Sequence, residues 1–217
     1  DWTKSVDDNW PSWRGPTGNG VALKGNPPIT WSETENIKWK IELPGSGSST
    51  PAVWGDKMFF QVAIPVGEAA PAPPEPEPAP AVEGERPRRR GEPRTAPAPT
   101  RAFKFNLVCV DKNTGEILWE RTARESVPHE GHHPTANFAP YSPVTDGKLI
   151  WASFGSRGLH CYDLEGNHKW STDLIQMKKR MTFGEGSSPA LAGEAVIVLM
   201  DHEGQSKIAA FNKDTGA

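Results

Sequence analysis

Histidine and glutamate occur together twice in this sequence, and these side chains can bind metals or move protons. Residues 129–133 read HEGHH and residues 201–203 read DHE. The first segment fits the H-E-x-x-H pattern of zinc proteases, which requires a helix so that both histidines share one face. Pro128 and Pro134 flank it, and Pro134 disfavours helical geometry at His133. The segment is therefore predicted to be a loop, and a protease site is not expected.

The elements that position these residues are repeated along the chain. An apolar strand is followed by a tight turn that starts at Asp111, Asp163 or Asn212, about 50 residues apart. Where the sequence continues, a second strand reaches Trp119 or Trp170. A further strand–turn–strand element recurs in step with the first, at residues 48–60, 141–154 and 187–199.

Each period therefore holds two hairpins, which is typical of a propeller blade with four antiparallel strands. We label the strands of a blade A to D from the central axis outward. The predicted strands A to D are 49–54, 58–64, 102–110 and 116–122 in the first blade, and 141–145, 148–154, 159–163 and 167–172 in the second. Strands A to C of the third blade are predicted at 187–192, 195–200 and 206–211. The predicted fold is an all-β propeller.

The segment 37–43 has the alternation and the tryptophan (Trp39) of a D strand, and we expect it to complete the last blade of a closed ring. About three blades' worth of strands cannot close a ring, because their inner strands would remain open edges. The sequence therefore predicts a piece of a longer protein that is eight-bladed when complete. Its predicted parts are a leader at 1–36 packed on the propeller and a partial propeller at 37–217.

Two segments depart from the strand pattern. Residues 65–101 are rich in Pro, Ala, Glu and Arg, and they carry too little apolar surface to offset the entropy of ordering. A disordered insertion is predicted there, and docking of an SH3-type or anionic partner is the alternative. In the leader, Trp10, Trp13 and Arg14 predict an aromatic plug with the arginine stacked on a tryptophan, the alternative being a partner-docking surface.

Composition excludes some functions. The formal net charge is −3 with a pI near 6.1, which does not indicate nucleic acid or an anionic membrane as a partner. No apolar run approaches the ~20 residues of a transmembrane helix. Cys109 and Cys161 occupy the same repeat position in neighbouring blades. Neighbouring sheets pack ~10 Å apart, so we predict two free buried thiols rather than a disulfide.

Strand order predicts where the polar loops meet. In an antiparallel four-stranded blade, the B–C turns and the D-to-A connections leave the sheet on the same face. Glu185 lies on a D-to-A connection, and its repeat equivalent is Ser46, so this carboxylate departs from the scaffold pattern. Three interpretations remain open: hydrogen bonds that hold the loops, a divalent metal or small-ligand site, and catalysis. The candidate metal ligands are His129, Glu130, His132, His133, Glu185, Asp201, His202 and Glu203.

The turn pattern D-x-x-T-G-x-x-x-W at 111–119 resembles the repeat of the pyrroloquinoline-quinone (PQQ)-like β-propellers. That superfamily includes quinoprotein alcohol dehydrogenases and the non-catalytic lipoprotein of the outer-membrane β-barrel assembly machinery. The segments 9–22, 127–135, 153–167, 183–191 and 201–206 look like bacterial cell-envelope proteins of this type. The resemblance covers essentially all of the chain except 65–101.

The resemblance implies a non-catalytic periplasmic or cell-envelope scaffold that binds a protein or a small ligand. The alternative that it implies is a PQQ-dependent dehydrogenase that oxidises alcohols or sugars and carries its catalytic residues in further blades, with PQQ and Ca²⁺ as cofactors. Dehydrogenases of this kind use a pair of adjacent cysteines beside the quinone. Cys109 and Cys161 are far apart in the sequence and do not supply that pair.

Overall fold

The computed structural model describes residues 6–68 and 97–217, and it places them in three antiparallel sheets. The first sheet contains β1 (Ala52–Trp54), β2 (Lys57–Pro65), β3 (Phe103–Asp111) and β4 (Ile117–Ser126), in that spatial order. The second contains β5 (Val144–Thr145), β6 (Leu149–Ser153), β7 (Leu159–Asp163) and β8 (His168–Thr172). The third contains β9 (Ala190–Ala192), β10 (Ala195–Met200) and β11 (Lys207–Asn212). Short 3-10 helices lie at Gly155–Arg157 and Arg180–Thr182.

The all-β prediction and the segmentation into blades are confirmed. Within each sheet, strands that are consecutive in the chain pair with each other, and the register puts Cys109 opposite Trp119 and Cys161 opposite Trp170. These two tryptophans therefore hold equivalent positions in the outer strands. Cys109 and Cys161 are free and buried, as predicted.

Apolar side chains hold neighbouring sheets together. Between the first and second sheets, the core contains Phe59, Phe105, Leu107, Ile150 and Phe154, all fully buried. Between the second and third sheets it contains Trp151, Leu159, Cys161, Val196 and Val198. Successive residues of a strand point to opposite faces of its sheet. Ile150 of the second sheet therefore packs toward the first sheet, and Trp151 packs toward the third. The sheets thus pack face to face, as blades do.

One contact between sheets is repeated at equivalent positions. A tryptophan indole donates a hydrogen bond to the carbonyl of the second residue of a C–D turn, and a glycine of that turn lies against the ring. Trp119 and Trp170 belong to outer strands, and Trp39 makes the same contact from the segment 37–43. The pairs are Trp39 with Lys112 (2.9 Å), Trp119 with Leu164 (3.1 Å) and Trp170 with Lys213 (3.0 Å). The glycines are Gly115, Gly166 and Gly216, all with positive φ.

Trp39 shares this contact, and the segment 37–43 pairs with no strand of the described residues. That it completes the last blade of a closed ring stays a prediction, because the strand that it would pair with belongs to that blade. Within the described residues, Trp39 and Ile41 pack on buried side chains of the first sheet, Phe60, Val62, Val108 and Val110. The segment therefore covers the face of the first sheet that points away from the second.

The leader is attached to the innermost strands. Trp10 pairs with Val53 of β1, and their backbone groups exchange hydrogen bonds of 3.0 and 2.7 Å. The carbonyl of Pro11 accepts a hydrogen bond from the amide of Thr145 in β5, at 2.9 Å. Arg14 lies 5.2 Å from the ring centre of Trp13, as expected. Trp13 is 58% exposed, however, whereas Trp10 is half-buried. Most of the insertion predicted at 65–101 lies at 69–96, outside the described residues.

Candidate functional site

Four connections leave the sheets on the same side and contact one another. They are the D-to-A connections 127–143 and 173–189 and the B–C turns 154–158 and 201–206, which together we call the rim. The two long connections meet where the amide of His133 donates to the carbonyl of Phe183. The turn 201–206 joins them where the amide of Glu203 donates to the carbonyl of Lys178, at 2.9 Å.

Glu185 is the centre of the polar contacts in the rim. Its side chain is only 6% exposed, yet both carboxylate oxygens have donors. The Tyr141 hydroxyl lies 2.7 Å from Oε2, the Ser156 amide 2.8 Å from Oε2, and the Ser156 hydroxyl 2.6 Å from Oε1. Burial, followed by the negative charge of Glu185, raises the pKa of Tyr141 well above its usual value. Tyr141 therefore stays a neutral donor, and the carboxylate fastens a D-to-A connection to the adjacent B–C turn.

Arg157 supplies the positive charge beside this carboxylate. Its side chain is 8% exposed and lies 3.4 Å from Oε1 of Glu185. The guanidinium also lies over the rings of Phe105 and Phe138, 5.2 and 5.9 Å from their centres. A buried arginine needs a partner for its charge, and here it has a carboxylate on one side and aromatic faces on the other.

His129 is held at the edge of the same group. Its Nε2 lies 2.6 Å from the carbonyl oxygen of Met177 and 3.9 Å from Oε1 of Glu185. A carbonyl can only accept, so Nε2 carries the proton and donates to Met177. The amide of Met177 donates in turn to the Ser156 hydroxyl, at 2.8 Å.

Lys178 and Lys179 connect the two histidine–glutamate segments. The Lys179 amide donates to Oε2 of Glu130 at 2.9 Å, and its ammonium group bonds the carbonyl of Asp201. His202 Nδ1 accepts hydrogen bonds from the amides of Lys178 and Gly204. Lys179 thus joins the two segments through its amide and its ammonium group.

His132 and His133 bond groups of their own loop, and His133 also contacts Phe183 of the other long connection. His132 Nδ1 lies 2.8 Å from the carbonyl of His133, and its ring packs edge-on against Phe138. His133 Nδ1 is 2.8 Å from the hydroxyl of Thr135, and its ring lies 5.7 Å from that of Phe183. These contacts shape the connection 127–143 and fix where the rings lie.

The structure thus brings the eight candidate ligands to one side of the sheets but divides them. His129 approaches Glu185, whereas Glu130 and Asp201 meet through Lys179. Within residues 6–68 and 97–217, no three His, Cys, Asp or Glu side chains are grouped so that they could hold a metal ion. The metal site stays a prediction, which titration of the chain with Zn²⁺, with His129→Ala as the control, would test.

A narrow cleft opens beside Glu185 and Arg157. Its walls come from both long connections, and its volume is about 10 Å³. That volume is near the lower limit for one water molecule and far below the ~300 Å³ of ordinary ligand pockets. This cleft is therefore too small to enclose a small molecule. The lining residues include Glu130, His132, Asn137, Phe138 and Tyr141.

Sequence reasoning missed the contributions of Tyr141, Ser156 and His160. Tyr141 stands where the other repeats have Ser49 and Ser187, so it departs from the repeat just as Glu185 does, and comparing repeats position by position could have found it. Ser156 offers no such signal, because its role follows from the fold of the turn.

His160 is buried in β7, away from the rim loops themselves. Its Nε2 lies 3.0 Å from the carbonyl of Arg157 and its Nδ1 lies 3.0 Å from the hydroxyl of Ser171. Burial lowers its pKa to about 4, against a smaller opposing effect of the Arg157 carbonyl. The ring is therefore neutral at pH 7 and supports the backbone of Arg157.

The thiols have no nucleophilic character. Burial raises the pKa of both Cys109 and Cys161 to about 12. A thiol that stays protonated at neutral pH is a poor nucleophile and a poor metal ligand. These cysteines act as core residues.

Comparison with known proteins places the chain among propellers. A family model described as "Outer membrane protein assembly factor BamB" matches residues 103–217, more than half of the chain. A solved structure of quinohemoprotein alcohol dehydrogenase ADHIIG from Pseudomonas putida HK5 superposes with a TM-score of 0.51 at 13% identity. The match covers 99% of this chain and 26% of that one, and at this identity it shows the fold alone.

No curated protein sequence matches the chain. The described residues contain no helix with the length and apolar character needed to cross a bilayer.

Proposed function

The chain belongs to the family described as outer membrane protein assembly factor BamB, and from this we propose that it is part of a non-catalytic cell-envelope scaffold. In this proposal the rim is the surface that binds, and its partner is another protein. Periplasmic or envelope placement is part of the proposal and follows from the family description.

The observation that carries the proposal is the group around Glu185. Its hydrogen bonds from Tyr141 and Ser156 and its ion pair with Arg157 use the polar atoms of the rim to fix loop backbone. Binding surfaces built on loops need such internal fixing, because ordering a loop at the moment of binding lowers affinity. The rim is therefore suited to present a preformed surface.

The size of the cleft favours a protein over a small ligand. With about 10 Å³ beside Glu185, the rim offers contact area outside the cleft rather than enclosure. Exposed residues such as Thr135 and Glu203 lie on the surface of this side. A protein partner can use that area without a deep pocket.

Site-specific photocrosslinking in cells of the source organism would test which side binds. A benzophenone amino acid replaces Thr135 or Glu203 on the rim, and matched controls replace Asn113 or Glu165, exposed residues of the opposite turns. We expect the rim positions to give one discrete crosslinked protein that the control positions do not give. The same crosslinked protein from both sides would contradict the assignment of the rim.

A second experiment separates the scaffold from the PQQ-dependent dehydrogenase predicted as the alternative. The complete gene product is incubated with PQQ and Ca²⁺ and desalted, and its quinone absorbance and dye-linked alcohol oxidation are measured. We expect neither signal. Retained quinone together with alcohol oxidation would replace the scaffold by the dehydrogenase.

A further inference from the structure

The A–B turns on the side opposite the rim are equivalent in the three sheets. Trp54 pairs with Lys57, Ala192 pairs with Ala195, and the amide of Asp146 bonds the carbonyl of Leu149. Each turn then has a glycine with positive φ, namely Gly55 (59°), Gly147 (86°) and Gly193 (58°). Trp54, Asp146 and Ala192 therefore occupy the same position in successive blades.

At the junction between the first and second sheets, the side chain at this position, Trp54, fills the space between the two A–B turns. The indole of Trp54 reaches across to the next A–B turn and occupies the space that a Cβ would take on Gly147. Glycine is required at 147 by this contact as well as by its φ of 86°. The junction is closed by a flat aromatic ring lying on a glycine.

At the junction between the second and third sheets, Asp146 stands where Trp54 stands in the first blade. Nothing lies within 4 Å of the Cβ position of Gly193, the equivalent of Gly147. A cavity of about 770 Å³ opens here, within the size range of ligand sites. It is lined by Asp146, Lys148, Leu149, Leu191, Gly193, Glu194, Lys213 and Asp214.

The walls of this groove combine an apolar base with a charged margin. Leu149 and Leu191 supply the apolar surface. Lys213 lies 3.7 Å from Asp146 and 3.4 Å from Glu194, so its charge is already shared between two carboxylates. The lining has three carboxylates, Asp146, Glu194 and Asp214, against the ammonium groups of Lys148 and Lys213. The lining of the groove therefore has a net charge of −1.

The backbone of the groove is fixed before anything binds. The indoles of Trp151 and Trp170 both donate to the carbonyl of Lys213, each at 3.0 Å. The amide of Lys213 donates to the carbonyl of Glu194 at 2.9 Å, which ties the C–D turn to the A–B turn. A preformed groove costs little ordering entropy on binding.

We propose that this groove binds a tryptophan side chain of a protein partner, with a lysine or arginine next to it in the partner's sequence. The indole lies on Gly193 as Trp54 lies on Gly147, and the basic group meets the acidic margin. The site lies on the side opposite the rim and does not depend on the function proposed for the rim.

The test uses the ¹⁵N-labelled chain and tryptamine, an indole that carries an ammonium group, as the probe. We expect saturable shifts of the Gly193 and Leu191 amide signals and none at Gly147. Indole-3-propionate, which has the same ring and a negative charge, should bind more weakly, and a Lys-Trp-Lys peptide should produce the same pattern as tryptamine. Absence of saturable shifts at Gly193 would overturn the proposal.

Three variants make the test specific. Asp146→Trp should fill the groove from within and weaken tryptamine binding at least about tenfold. Asp146→Ala leaves the groove open, so it should keep indole binding but lose the preference for tryptamine over indole-3-propionate. Trp54→Ala should open a second groove, seen as new shifts at Gly147. If Asp146→Trp folds and binds tryptamine as tightly as the unmodified chain, or if Trp54→Ala adds no shifts at Gly147, the analogy between the two junctions is wrong.

Discussion

The C–D turns and the rim lie at opposite ends of the same strands, yet they are built in different ways. At the C–D turns, every junction uses one contact, an indole that donates to a turn carbonyl beside a glycine. At the rim, Glu185 stands where the first repeat has Ser46, and Tyr141 stands where the other two have Ser49 and Ser187. The contacts of Glu185 with Tyr141, Ser156 and Arg157 occur at a single junction. The C–D turns thus join the sheets by one repeated contact. The rim departs from the repeat, and its surface differs from one junction to the next.

Removing a tryptophan of the repeated contact should have the largest effect. Trp119→Ala loses the hydrogen bond to Leu164, the contact with Gly166 and a cation–π contact with Arg121 at 5.6 Å. We expect the free energy of unfolding to fall by about 3 to 4 kcal/mol in urea denaturation. Trp13→Ala, in the exposed leader, is the matched control and should change it by less than about 0.5 kcal/mol. Similar losses in both variants would show that the repeated contact does not join the blades.

At the rim, Glu185→Ala tests whether the carboxylate holds the connections together. The change leaves Arg157 buried without its carboxylate, which should cost about 3 kcal/mol in the free energy of unfolding. Ser46→Ala at the equivalent position removes only an exposed hydroxyl and should have almost no effect. The double variant Arg157→Met with Glu185→Leu should recover part of the stability, since an apolar pair replaces the ion pair. Recovery is incomplete because the Tyr141 hydroxyl and Ser156 lose their acceptor. If Glu185→Ala matched Ser46→Ala, the carboxylate would not hold the rim together.

His160 should make the stability of the chain depend on pH. Its pKa is about 4 in the folded chain, whereas the unfolded value is near 6.5, so the unfolded state binds more protons between these values. Stability is full above about pH 6.5 and falls as the pH drops toward 4, by up to about 3 kcal/mol. Arg124, His168 and Asp173 also act on this ring, so His168→Gln is the control. His160→Gln should remove the loss measured by urea denaturation at pH 4.5 and 7, and an unchanged loss would assign it to other groups.

The repeated parts of the molecule could be predicted from the sequence because each strand and turn is specified several times. The turns at Asp111, Asp163 and Asn212 carry the same local hydrogen bonds, and the positions of Trp119 and Trp170 followed from their spacing. The segment 37–43 is different, because its alternation indicates a strand but not the strand that it pairs with, and no strand of the described residues pairs with it.

The site was only partly predictable. Strand order indicated that the candidate histidines and Glu185 lie on one side, but it gave no information on side-chain direction. Lys179 lies between Glu130 and Asp201, and no pattern in the sequence indicates a lysine there. The groove at Gly193 was also missed, because it depends on comparing Asp146 with Trp54 across the repeat and on knowing which way the indole turns.

The smallest effect is expected in a single C–D turn. Oδ1 of Asp163 accepts the amides of Glu165 and Asn167 at 3.0 and 2.8 Å, and Oδ2 lies 2.9 Å from the ammonium of Lys169. Burial alone raises the pKa of Asp163, but the hydrogen bonds from Lys169 and Asn167 outweigh it and hold the pKa below its usual value. Any stability due to ionisation is therefore present above the usual carboxyl range and lost only in acid.

Asp163→Ala should lower the free energy of unfolding by about 1 kcal/mol, because turn amides lose their acceptor. Asp163→Asn should cost less, since Asn212 holds the same position in the third repeat and its Oδ1 accepts the amides of Asp214 and Thr215 at 3.0 Å. Urea denaturation at pH 7 measures both. A loss in Asp163→Asn as large as in Asp163→Ala would mean that the charge, rather than the acceptor geometry shared by the repeats, determines the stability of the turn.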